Sequence, residues 1–132
     1  MCFRRLFYRK NKDEFEKKPK IYIETLFRFL EDKGFEKNCG QVNGESWVGY
    51  TKGEFHITIN YLYNGKEVWF DIYNETWDNE PFIKHLDIKD ERYELRFEHY
   101  DNLSCKEKLH LVADYLSEYS DVVERKCLQK SD

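Results

Sequence analysis

The clearest apolar/polar alternation in the chain runs from Glu54 to Glu75, EFHITINYLYNGKEVWFDIYNE. Two alternating runs flank Asn64 and Gly65, a pair that tolerates positive φ at both positions and so suits a two-residue type I′ turn. With position 63 facing 66, counting outward sets Tyr61 against Val68, Ile59 against Phe70 and Ile57 against Ile72 on one side. The other side pairs Asn60 with Trp69, Thr58 with Asp71 and His56 with Tyr73. One face of the ribbon is dry, and the other mixes rings, amides and an acid.

Helical periodicity brackets this hairpin. After Pro19, a residue suited to a first helical turn, Ile23, Leu26, Phe27 and Leu30 recur at i, i+3, i+4 and i+7. Gly34 provides a left-handed stop, with Phe35 behind it to pack on the last turn. Near the other end, Ser104 and Glu107 form a capping box ahead of Leu109, Val112, Ala113 and Leu116, and Tyr119 and Val123 extend that seam. Residues 125–132 read as a polar tail.

Shorter strands fill the remainder. Asn43 and Gly44 signal a turn between a weak strand near 36–42 and the β-prone segment SWVGYT at 46–51. Gly49 interrupts the alternation there, so the inward member of Trp47 and Val48 stays open. Beyond the hairpin, a polar connection through Pro81 carries a short helical turn near 82–86. Tyr93, Leu95 and Phe97 then alternate with Glu94, Arg96 and Glu98, which predicts a half-buried strand.

The pattern as a whole predicts an α+β fold: an antiparallel sheet of four to five strands around the central hairpin 54–74, with an N-terminal and a C-terminal helix on one face. The expected divisions are a basic, aromatic segment 1–18, a single α+β domain 19–124 and the tail 125–132.

Composition sharpens this. Aromatic residues make up 17% of the 132 positions and alanine occurs once, at Ala113, so the core is built from rings and branched aliphatics. Charged residues reach 36%, and no apolar run approaches the ~18 residues of a membrane-spanning helix. The net charge of −4 is unevenly spread. Residues 1–20 hold eight basic and three acidic side chains, whereas the remainder holds fourteen basic and twenty-three acidic. An acidic body argues against nucleic acid, whose phosphates need a basic stripe, and favours a basic protein partner.

Cys2, Cys39, Cys105 and Cys127 lack paired spacing, and the start of the chain lacks a secretory apolar core, which together suggest free thiols in a cytoplasmic protein. His56, His85, His99 and His110 are scattered, and the acidic loop 87–91 lacks the glycine and ligand series of a calcium loop, so neither metal nor other cofactor is expected.

No catalytic motif is present, and the chain reads as a non-enzyme. The candidate partner-binding residues are Glu67, Trp69, Asp71 and Tyr73 on the hairpin, Trp77 and Asp78 on the connection, and Glu94 and Glu98 on the expected later strand. Exposed rings anchor protein interfaces while acids steer a basic partner toward them. The concrete instance is an immunity or inhibitor protein masking a basic target such as a secreted bacterial toxin. Two other classes compete: a small-ligand site or enzyme between the connection and the sheet, drawing on His56, Asp71, Glu98 and His99, and a homo-oligomer that pairs its sheet faces or edges.

Overall fold

The computed structural model describes residues 14–62, 64–74 and 88–129. Three short helices open it: α1 (Glu14–Lys17), α2 (Pro19–Leu26) and α3 (Phe29–Asp32). Four strands follow, β1 (Glu36–Val42), β2 (Glu45–Lys52), β3 (Phe55–Leu62) and β4 (Val68–Asn74), then α4 (Glu91–Glu98), a 3₁₀ turn at Tyr100–Asn102 and the long α5 (Cys105–Gln129). The strands form one antiparallel sheet in the order β1-β2-β3-β4, each paired with its neighbour in sequence. This is the α+β arrangement that the alternation implies, with α2 and α5 packed on one face of the sheet.

The β3–β4 register agrees with the count made from the sequence: Ile59 faces Phe70, Ile57 faces Ile72 and Thr58 faces Asp71. The turn differs. The Gly65 amide donates to the Leu62 carbonyl at 2.8 Å, and the Lys66 amide donates to Asn64 Oδ1 at 3.0 Å. Gly65 has φ +71°, and the Leu62 amide bonds the Glu67 carbonyl, so the ladder closes one residue earlier than a two-residue type I′ turn requires. Tertiary packing accounts for this, because the α1 backbone lies on Gly65, where an added Cβ would come within 2.8 Å of Glu16 Cα. A two-residue turn of the expected kind does occur between β1 and β2, where Asn43 (φ +50°) and Gly44 (φ +84°) are both left-handed.

The inner face buries Val48, Tyr50, Phe55, Ile57, Ile59, Tyr61, Phe70 and Ile72. Val48 is therefore the inward residue of its pair. Against these strands α2 and α3 place Ile23, Phe27 and Leu30, while α5 contributes Leu109, Val112, Leu116 and Val123. The N-terminal stripe is carried by two helical pieces rather than one. It ends as Gly34 suggested: the Phe35 amide reaches the Leu30 carbonyl and the Gly34 amide that of Glu31, a Schellman closure. The capping box of α5 forms reciprocally, Ser104 N–H to Glu107 Oε1 at 3.0 Å and Glu107 N–H to Ser104 Oγ at 3.1 Å.

Two features of the packing lie outside the span 19–124. Phe15, on the far side of the division at 18/19, is fully buried and sets its ring edge-on to Tyr22. The C-terminal helix continues past 124 to Gln129, because Cys127 prolongs the Val123 seam by one turn and is buried. Its carbonyl, one of the last four that a helix leaves open, accepts from Asn74 Nδ2 at 2.7 Å.

The largest correction concerns the segment from Tyr93 to Glu98, expected as a strand and observed within α4 (Glu91–Glu98). Tyr93 and Phe97 are four apart as well as even-spaced, so one helical face buries both and turns Leu95 outward. Asp90 caps the helix, accepting the Arg92 amide at 3.0 Å. Arg92 bridges Asp90 and Glu118 of α5, and the Tyr119 hydroxyl also donates to Asp90. Hydrogen bonds from Arg92 and then Tyr119 hold the Asp90 carboxyl well below the usual carboxylate range. Burial first, and then Glu118, pushes the Tyr93 phenol up to about 12. These contacts fix α4 to the helical layer, not to the sheet.

The helical assignment gives a direct test by thermal or urea unfolding. Phe97→Ala is expected to cost about 3 kcal/mol, whereas Leu95→Ala, at a position 62% exposed, should change stability by less than about 0.5 kcal/mol. A half-buried strand would instead penalise both substitutions.

Candidate functional site: the open sheet face

The registers of the three strand pairs align the outward residues into four rows crossing the sheet. Val42, Glu45 and Leu62 form the first, reaching Glu67 through the bond from the Leu62 amide to the Glu67 carbonyl. Gly40, Trp47, Asn60 and Trp69 form the second. Asn38, Gly49, Thr58 and Asp71 form the third, and Glu36, Thr51, His56 and Tyr73 the fourth. Adjacent strands lie ~4.8 Å apart and same-face neighbours along a strand ~6.8 Å apart. The tryptophan row and the His56–Tyr73 row therefore stand about 13 Å apart across a row of smaller side chains.

That difference in side-chain size makes a shallow trough. Asn38, Trp47, Thr51, His56, Thr58, Asn60, Asp71 and Tyr73 line a concavity of about 460 Å³. On one flank His56 stacks on Tyr73 with ring centroids 4.8 Å apart and planes 16° apart. The Thr51 hydroxyl lies 3.1 Å from His56 Nδ1 and accepts a long hydrogen bond from Asn38 Nδ2 at 3.5 Å. At the other end Asn60 Nδ2 donates to Asp71 Oδ2 at 2.9 Å. Because a carboxylate only accepts, this bond fixes which way the Asn60 amide is turned.

Trp47 owes its position to a glycine on the neighbouring strand. A Cβ built on Gly40 would overlap the six-membered ring of Trp47, so the indole lies across the bare backbone of β1. An aromatic ring covering an edge-strand glycine stabilises the edge and holds the ring flat. At Gly49, likewise, a Cβ would run into the Asn38 side-chain oxygen.

Of the candidate residues, Trp69, Asp71 and Tyr73 share this face, and Glu67 stands at its margin. Glu94 and Glu98 do not join them. They lie on α4, which packs on α5 in the helical layer, and His99 caps the same helix. The expected grouping of His56 and Asp71 with Glu98 and His99 is therefore not assembled. Trp77 and Asp78 lie outside the described residues, as do most of the connection and the basic head.

Asn38 and Thr51 join the face without a signal of their own in the sequence, and Trp47, which the alternation leaves open, proves to be outward. The available signal was Gly40: once β1 and β2 are paired through Asn43 and Gly44, Gly40 falls opposite Trp47 and leaves room for its ring.

Among the described residues no group of His, Cys, Asp and Glu side chains is placed to hold a metal ion, and no helix is long and apolar enough to cross a membrane. No family model, curated protein or solved structure matches this chain.

The Trp47–Gly40 contact predicts that Gly40→Val displaces the indole. In a variant whose other tryptophans are replaced by phenylalanine, Trp47 emission should shift to longer wavelength and gain quencher access. Unchanged emission would mean that the ring does not rest on β1.

Proposed function

We propose that the protein is a small interaction module that uses the open face of its sheet to dock on and mask a basic protein surface. The observation that carries this reading is the sign of the charges on that face. Its four rows include Glu36, Glu45, Glu67 and Asp71 and no lysine or arginine. The nearby strand lysines are turned to the helical side: Lys37 pairs with Glu24 of α2, while Lys52 lies over the Phe35 ring and pairs with Glu124 of α5. Cations are thus used to tie helices to strands, and the acids of the four rows pair with no lysine or arginine among the described residues.

Rings complete the surface. Trp47, Trp69 and Tyr73 are half-buried there. Large rings of low conformational entropy anchor protein interfaces, and complementary charge raises the encounter rate. This combination suits an inhibitor whose target carries a cationic site, and an immunity protein that neutralises a secreted toxin is the concrete form.

Calorimetric titration against a basic toxin domain from the same gene neighbourhood tests the proposal. The expected complex weakens as salt rises. Asp71→Lys and Trp69→Ala should each weaken it by about tenfold or more, consistent with ~1.4 kcal/mol at an interface hot spot. Glu94→Lys and Glu98→Lys, on α4, should leave it unchanged. Absence of a complex, or one sensitive to α4 and indifferent to Asp71, would overturn the reading.

A further inference from the structure

We propose that the trough on the open face receives an arginine side chain of the docked protein, with Asp71 as its carboxylate partner. The inference rests on the docking role of the same face and names the group that the face selects.

The hydrogen bonds within the trough engage its amide donors, while its hydroxyls can turn to donate or accept. Asn60 spends its amide hydrogens on Asp71 Oδ2 and, at 3.5 Å, on the Trp69 carbonyl. Asn38 turns its amide hydrogens toward Thr51. Left over are acceptors: the second oxygen of Asp71, the side-chain carbonyls of Asn60 and Asn38, and the Thr58 hydroxyl oxygen, none with a further partner among the described residues. A ligand suited to this set brings several N–H donors and a positive charge. A phosphate or carboxylate ligand meets acceptors and a negative charge, and is disfavoured on both counts.

Shape narrows the choice between the two common cations. The slot is flanked by rings, with Trp47 along one row and the stacked His56–Tyr73 pair along the other. A guanidinium is planar, carries five donors in a fixed fork, and stacks on aromatic faces while bonding edge-on to a carboxylate. An ammonium is a compact, strongly hydrated point charge that gains less from such walls. The floor position Thr58 lies directly opposite Asp71 in the register, so an arginine lying along the third row would bring its fork to the carboxylate end.

The test is an NMR titration of the isotope-labelled full-length protein with Nα-acetyl-arginine methylamide. The matching lysine compound and the citrulline compound, a neutral near-isostere of arginine, are titrated in parallel. Arginine is expected to shift the Trp47 indole N–H and the amides around Thr58, Asp71 and Tyr73, saturating in the millimolar range. Lysine should bind several-fold more weakly, citrulline should give no saturable shift, and Asp71→Asn should abolish the arginine response while leaving the rest of the spectrum unchanged. Equal responses to lysine and arginine would overturn the guanidinium assignment, as would shifts that survive Asp71→Asn. If arginine leaves the trough untouched while the basic partner still docks in an Asp71-dependent way, the arginine slot fails and the docking face stands. If the partner fails to bind as well, both fall.

Discussion

The pairing of Ile59 with Phe70, and the register it imposes on both hairpin strands, is the constraint on which the rest of the structure depends. Side chains alternate strictly along a strand, so a slip of one residue would bury Trp69, Asp71 and Tyr73 and expose Val68, Phe70 and Ile72. Burying an unpaired carboxylate while exposing three large apolar groups opposes such a slip from both directions. The turn does not set this register by itself. It is held by the inner face closing on α2 and α5, and by the α1 backbone lying against Gly65.

How much of this was legible in the sequence depends on the distance over which each signal acts. The β3–β4 register, the Ser104–Glu107 box and the Gly34 stop are local, and each appears as its residues suggested. The turn at Asn64 and Gly65 departed from its dipeptide preference because α1, some fifty residues away, packs upon it. Residues 93–97 fit both periods over so short a span that the alternation could not decide. The deciding features were Asp90 as a helix cap and Arg92 reaching Glu118, the second of which exists only once α5 is in place. Cys127 did carry a signal, since it falls one turn beyond Val123, but the polar residues around it masked the seam.

The candidate site shows the same division. Trp69, Asp71 and Tyr73 follow from alternation in a single strand. Trp47 needed the β1–β2 register, because only the pairing with Gly40 makes an outward tryptophan comfortable at a sheet edge. Glu94 and Glu98 belong to the face only if their segment is a strand, and on the helix α4 they lie away from the site. The face that remains is smaller than expected but more uniform in charge, because its four rows hold no lysine or arginine.

Among the described residues no helix covers the outward side of the sheet, and that side is anionic around its tryptophans. Quenching of tryptophan fluorescence in a Trp77→Phe variant by caesium and by iodide measures this directly, since the two ions differ in the sign of their charge. Caesium should quench Trp47 and Trp69 more efficiently than iodide once each is scaled to a free-tryptophan control, and the difference should shrink as inert salt screens the face. Weak and equal quenching by both ions, or a preference for iodide, would mean that the face is covered or not acidic, and would contradict the account.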